Sequence, residues 1–599
     1  MLKFVNLKRL RSRKEPTKMK KRSSNLYHFL WNYMRKSKGL VCGAIICGLL
    51  SGLLSLLGPL FIGKATDCLI GVNAVNFSDT LKNILLLAGI YLCSAVFLWL
   101  MNIFANALAY KTSDLLRRDA YFHLMHLPLH YIDSTPQGDT ISRLTNDVDF
   151  ICEGMLQSVS QLLTGIIIII GSFAFMLALS PLIALIVLLI TPLSFAIAYF
   201  ITKHSRKMFK LQTQCTGKLT GITEEMIGNQ SVVKSFSYED HAIAAFEQAD
   251  AELYECGQKA QYYSSLTNPT TRLVNNISYV LVGVIGSLMA LQQKLSVGTI
   301  LSFLTYATQF AKPINEITGV VSQLQSALAS LERISALLQE PTESEDKHLA
   351  LIDPKNIKGD IIFEHIAFSY LPEKPLITDF SFHAEAGSTI AIVGPTGAGK
   401  TTLVNLLLRF YDVTQGRILI DGIDITTLQR DNLRDCFAMV LQETWLFKGT
   451  IRDNIAYGKE NASDEEIIAA AKKAHAHSFI MRLPDAYKTV IAENGTNLSQ
   501  GERQLLTIAR AMLLDPPVLI LDEATSSVDT RTEQKIQKAF LAAMENRTSF
   551  VIAHRLSTIQ NADVIIVMKN GNIEEFGSHN VLISRGGLYA ELYNSQFSK

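Results

Sequence analysis

The residues best placed to do chemistry lie in one stretch, Gly394-Pro395-Thr396-Gly397-Ala398-Gly399-Lys400-Thr401-Thr402. Its spacing is G-x-x-x-x-G-K-[ST]. Glycines so spaced let backbone N–H groups turn inward and cradle phosphate oxygens, with a helix N-terminus behind them. Lys400 can reach the outer phosphates of a nucleotide, and the Thr401 hydroxyl can hold Mg²⁺. The apolar run 389–393 ahead of the loop reads as a strand, and 402–408 behind it reads as a helix. Further on, Val518-Leu-Ile-Leu-Asp522-Glu523 reads as a buried strand ending in two acids. Strand C-termini are where α/β sheets bind ligands. Asp522 can hold Mg²⁺, directly or through water, and Glu523 can polarise an attacking water, a role worth roughly 10²–10⁴-fold in rate. Tyr370, upstream of the loop, can stack on a purine. A structural acid pair and an ordinary strand tyrosine are the plainer readings, but an acid pair alone does not account for the adjacent phosphate loop.

Those residues need a scaffold, and the chain offers two. From about 357 onward, short β-branched strands alternate with helices, the pattern of an α/β domain. Ahead of it the character is different. Hydrophobic residues make up 48% of the 599 residues, and net charge is only +2, so no basic field points to nucleic acid. Apolar runs at 39–63, 82–106, 157–179, 181–202, 275–292 and 298–316 predict six membrane spans. About 23 helical residues cover roughly 34 Å, enough for a hydrocarbon core of about 30 Å. The long connections at about 107–156 and 203–274 read as helices too polar for lipid, extensions of the spans, and carry the basic residues (Lys111, Arg117, Arg118, Lys203, Arg206, Lys207, Lys210). By the positive-inside rule these loops and both chain ends are cytoplasmic. The sequence thus divides into a basic tail at 1–23, a membrane domain at 24–335, a polar linker at 336–356 and an ATPase domain at 357–599. The basic tail reads as an anchor facing anionic lipid rather than a signal peptide or nucleic-acid arm.

The eight cysteines are scattered without a C-x-x-C pair, and they read as reduced, small apolar fillers rather than metal ligands or disulfides. In the sixth span Phe303, Tyr306 and Phe310 share one face, with Gln309 beside them. Helix packing or lipid contact is the plain reading, and the lining of a greasy cavity is the sharper one. Aromatic and methionine side chains in the spans suit a greasy cation, a lipid or a peptide alike, and no charge within the spans marks a partner.

Between the phosphate loop and the acid pair's neighbours lies Asn497-Leu-Ser499-Gln500-Gly501-Glu502-Arg-Gln504. This run resembles L-S-G-G-Q, the signature of ATP-binding cassette (ABC) transporters. Gln442, Ser526-Ser-Val-Asp529 and His554 stand in the family's order around it. The membrane half resembles exporters of the multidrug and lipid-flippase type, so the resemblance covers nearly the whole chain. It implies a six-span helical domain followed by an α/β P-loop ATPase, working as a dimer of two half-transporters in a cell membrane. It implies that Tyr370 stacks on adenine and that Gly394 to Thr402 bind the phosphates. Thr401, Gln442 and Asp522 would coordinate Mg²⁺, Glu523 would be the base, and His554 would contact the γ-phosphate. Ser499 and Gly501 would act on ATP held by the partner, and Asp529 would link the two sites. Acidic segments near 145–150 and 222–230 resemble coupling helices that dock on the ATPase.

The chain departs from the signature at two positions. Gln500 adds bulk and Glu502 adds negative charge where a phosphate must approach. The run Leu-Ser-Gln-Gly-Glu resembles chains of heterodimeric bacterial exporters, which favours a heterodimer over a homodimer. ATP-driven export of hydrophobic drugs or lipids follows. The alternatives are export of a defined peptide, an ATP-gated or regulatory subunit, and an importer. The fused layout speaks against an importer, and the absence of an N-K-x-D guanine reader speaks against a GTPase.

Overall fold

The computed structural model describes residues 26–70, 75–343, 346, 348–371, 373–442, 444–459, 461–492, 495–522, 529–553 and 556–597. They form two compact units. One runs to His126 and resumes over Pro136–Glu340; the other holds Leu127–Thr135 and everything from Pro341.

The first unit is helical. Its rods are α1 (Lys38–Asp67), α2 (Phe77–Met125), a run over Gln137–Leu179, α5 (Pro181–Gly228), then α7 (Glu239–Ser265) continued by α8 (Thr267–Leu291), and α9 (Val297–Leu337). The run Gln137–Leu179, here α4, contains two π-helical stretches, Arg143–Asp147 and Ser158–Leu163. A short helix, α3 (Leu129–Ser134), precedes it in the chain but belongs to the second unit, and another, α6 (Gln230–Ser235), joins α5 to α7. Four of the runs are long and apolar enough to cross a membrane, and their apolar windows are only 11–33% buried within the chain. Apolar surface so exposed is stable only against lipid or another helix. Among the described residues the apolar part of α5 is shorter, Pro181–Leu193.

Helix ends are tied by side chains, because the first N–H groups of a helix lack partners within it. Ser296 caps α9 through the Thr299 N–H at 3.0 Å, while Asp67 at the end of α1 accepts from Gly298 N–H at 2.7 Å and Ser296 Oγ at 2.6 Å. Pro59 inside α1 lacks an N–H, and carbonyls near it face α9. Two of them take donors from α9: Tyr306 Oη donates to Leu56 O at 2.6 Å, and Ser302 Oγ to Pro59 O at 2.8 Å.

The second unit is built on two sheets. The larger has six strands in the order β12-β11-β3-β10-β9-β6. These are β3 (Thr389–Val393), β6 (Phe437–Val440), β9 (Val518–Asp522), β10 (Thr548–Ile552), β11 (Val564–Lys569) and β12 (Asn572–Gly577). All pair in parallel except β12. Parallel sheets are covered on both faces, which is why these strands are continuous apolar runs. Alternation sorts their side chains between two cores. Ala391, Val393, Leu519 and Leu521 pack on one side, and Ile390, Ile392, Val518 and Ile520 on the other. The second sheet is antiparallel, with β1 (Ile361–Phe368) between β2 (Ile377–Ala384) and β4 (Gln415–Ile420), and β5 (Ile423–Asp424) at its edge.

Candidate functional site

The carboxyl ends of β3, β9, β10 and β6 meet at one edge of the six-stranded sheet. Ile552 pairs with Ile392 on one side and with Asp522 on the other, and Val440 pairs with Leu521. The phosphate loop follows β3, Asp522 ends β9, and Gln442 lies just beyond β6. Such an edge is where parallel α/β sheets gather ligand-binding loops. Glu523 and His554 lie outside the described residues; their predecessors, Asp522 and Ala553, end β9 and follow β10 at this edge.

Two glycines in the loop are required by its shape. Gly394 has φ +151°, and a Cβ there would stand 2.3 Å from Met568 O on β11. Gly399 has φ +96° and forms the left-handed N-cap of α10 (Lys400–Leu407). Ala398 O accepts from Gly571 N–H at 3.1 Å, so the β11–β12 turn braces the loop from outside. Pro395, Thr396 and Gly397 at the crest are exposed, and nothing lies within 4 Å of a Cβ built on Gly397. The cradle is therefore open to a phosphate. The Lys400 ammonium donates to Gly394 O at 2.7 Å and Pro395 O at 3.1 Å. Burial pulls its pKa below the ordinary lysine range, opposed by the charge of Asp522. Thr401 is exposed at the helix start, and Thr402 is buried beneath it.

Tyr370 stands beside this helix. Its hydroxyl donates to Thr402 Oγ1 at 3.2 Å, and its ring meets Tyr411 edge-on at 5.1 Å. Tyr411 in turn donates to Asp133 on α3 at 2.5 Å. Burial, and then Asp133, push the Tyr411 hydroxyl above its ordinary pKa. Sequence reading missed Tyr411 and α3. Docking was expected of the acidic segment near 145–150, but Asp147 is buried in the first unit and accepts from Ser330 Oγ at 2.9 Å and Arg333 Nε at 2.7 Å. It serves a helix-to-helix latch, and the segment that joins the ATPase unit is Leu127–Thr135. The segment 222–230 closes α5 and opens α6 in the first unit.

In that unit a cavity of about 260 Å³ is lined by α5, α8 and α9. Phe310 lines it; Phe303 and Tyr306 instead are buried among the helices, where Tyr306 stacks on Phe175 at 5.4 Å. Gln309 Oε1 is buried without a hydrogen-bond partner. The cavity corrects the reading that no charge within the spans marks a partner, because Lys312 and Glu316 of α9 line it beside apolar Val187 and Ile190.

Residues 41–314 match the family described as the ABC transporter transmembrane region, and residues 377–526 match the ABC transporter family. The chain belongs to the ABC transporters. It is 43% identical over 570 residues to the uncharacterized ABC transporter ATP-binding protein YfiC of Bacillus subtilis, covering 95% of this chain and 94% of that one. It is also 43% identical to a fatty acid ABC transporter ATP-binding/permease protein of Mycobacterium bovis, over 88% of this chain and 84% of that one. A solved structure of a bacterial Atm1-family ABC exporter with ATP bound is similar, with TM-score 0.77 and 30% identity, over 94% of this chain and 99% of that one. The ABC architecture makes this chain an ATPase coupled to membrane transport.

The ABC signature takes a definite form. Ser499 is the N-cap of α11 (Gln500–Leu514), and Glu502 is its third residue. The Glu502 carboxylate accepts from Ser499 N–H at 3.0 Å and Ser499 Oγ at 2.9 Å, while Ser499 Oγ accepts from Glu502 N–H at 3.3 Å. This is a reciprocal capping box. It commits the Ser499 hydroxyl proton to Glu502 and sets a carboxylate at the positive end of the helix. Gly501 is buried in the first turn. Asp529 caps α12 (Thr530–Met544) by accepting from Arg531 and Thr532 N–H at 3.1 and 3.0 Å, and the Thr532 hydroxyl, followed by these backbone bonds, holds its carboxyl below the usual range.

Proposed function

We propose that the chain is one half of an exporter that uses ATP to carry amphipathic molecules with an acyl or similarly narrow apolar part out across the cell membrane. The observation that carries this reading is the cavity between α5, α8 and α9, which sets apolar walls next to Lys312 and Glu316. At about 260 Å³ it lies just under the 300–1,000 Å³ common for drug-sized ligands, so it suits a chain better than a bulky ring system. The fatty acid transporter among the relatives supports the same class of substrate.

In this reading Tyr370 stacks on the adenine and the loop Gly394–Thr402 holds the phosphates, with Lys400 leaving its own loop carbonyls for them. Glu523 takes the proton of the attacking water and His554 steadies the γ-phosphate. Thr401, Gln442 and Asp522 offer a hydroxyl, an amide and a carboxylate oxygen, a donor set suited to Mg²⁺. Bound there, the ion would neutralise charge on the outer phosphates. Ser499, Gly501 and Asp529 face the partner's nucleotide. The partner is a different half-transporter, because Glu502 places a negative charge where that nucleotide's phosphate must sit. Both chain ends and the ATPase are cytoplasmic.

The test is ATP-dependent accumulation of a fluorescent fatty-acid analogue in inside-out vesicles carrying the chain, with Glu523→Gln as blank. Accumulation that is equal in the two preparations sinks the reading. Full ATPase activity of the purified chain in lipid, with no second chain present, removes the heterodimer.

A further inference from the structure

Two cysteines far apart in sequence meet in the hairpin formed by the polar ends of α5 and α7. Cys215 Sγ lies 3.0 Å from Cys256 Sγ, across 41 residues of chain. Both are free and partly accessible. The two helices are fastened around them. Lys218 Nζ reaches both Glu252 carboxylate oxygens, at 2.9 and 2.7 Å, about one turn away. On the other side a Cβ on Gly257 would stand 3.5 Å from Gln212 Nε2, and Ala260 is fully buried. The thiols thus sit opposite one another where the helices approach closely. A disulfide needs a sulfur–sulfur distance of about 2.05 Å, so closing this pair takes a movement of about 1 Å.

We propose that Cys215 and Cys256 form a reversible dithiol–disulfide switch that takes electrons from the hairpin to a soluble disulfide. The neighbouring Cys215 thiol, hydrogen-bonded to it, pushes the Cys256 thiol up. The Cys215 thiolate attacks one sulfur of the soluble disulfide, forming a mixed disulfide and expelling one thiolate. Cys256 then loses its proton and attacks the Cys215 sulfur, closing the internal bond and expelling the second thiolate. Two protein thiols are oxidised and one soluble disulfide is reduced to two thiols. In the cytoplasmic placement proposed above, the resting state is the dithiol, and disulfides there are transient and redox-sensing rather than structural. Closure fixes the axial register of α5 against α7, and any step of the transport cycle that slides one past the other stops.

The test uses membranes from cells making the full chain, equilibrated with reduced and oxidised glutathione in varying ratio. Thiols are then trapped by alkylation and the peptides read by mass spectrometry under non-reducing conditions. A Cys215–Cys256 cross-link that dithiothreitol reverses is expected, together with at least a twofold fall in ATPase activity over a Glu523→Gln blank. The fall should be absent in Cys215→Ser and in Cys256→Ser, both close in size to the native residue. Glutathione adducts without the internal cross-link would overturn the proposal. So would a cross-link that leaves the ATPase rate of the native chain unchanged.

Discussion

Lys400 donates to two carbonyl oxygens of its own loop, so a nucleotide has to draw it outward. Lys400→Ala therefore removes the cation that meets developing phosphate charge. Its ATPase rate in lipid nanodiscs should fall on the order of 10²–10³-fold, and a rate near native would assign the phosphates to another cation. Glu502 poses the opposite problem. Glu502→Gln keeps an oxygen for Ser499 N–H and Oγ, so the capping box survives while the charge is lost. A fluorescent ATP analogue should then bind the site facing this signature about tenfold more tightly, or about 1.4 kcal/mol; unchanged affinity would mean the charge does not reach the phosphate. The loop was legible in the sequence because its glycines and lysine are fixed by local backbone geometry. The reciprocal bonding of Ser499 and Glu502 was not read, although S-x-x-E before an apolar run is itself a cap signal; family resemblance had drawn attention to what the residues replace rather than to what they make.

At the scale of elements, the helical rods fall where the apolar runs predicted them. Their continuation into polar helix was expected over 107–156 and 203–274, but where each rod ends was less legible. α5 and α9 continue well past their apolar parts, because a polar helix outside lipid leaves no composition break to mark its end. The ties between rods were hidden as well. Tyr306 read as a packing or cavity aromatic, but its partner was hidden: its hydroxyl serves a carbonyl near Pro59, 250 residues away. Tyr306→Phe removes a buried tie between α9 and α1, at a loss of about 1 kcal/mol. The thermal midpoint in detergent should drop by a few degrees while the rate at 25 °C holds. An unchanged midpoint would place another donor at Leu56 O. The same blindness applies to Asp147: an acid in a mixed run looks solvated until Ser330 and Arg333 are brought to it.

At the scale of the molecule, the order of membrane domain and ATPase was plain from composition, but the exchange of chain between them was not. Leu127–Thr135 belongs to the ATPase unit, held in part by the bond from Tyr411 to Asp133. A fragment beginning at Pro341 would lack that segment, and its tyrosine would face water. Such a fragment should unfold at a lower denaturant concentration than the same unit within the full chain, and equal midpoints would show the segment contributes nothing. The arrangement also has a consequence for biogenesis. The segment leaves the ribosome about 200 residues ahead of the rest of its unit, and at 5–20 residues per second it waits on the order of 10–40 s for it. The unit therefore closes only after every helix between Pro136 and Glu340 has been synthesised.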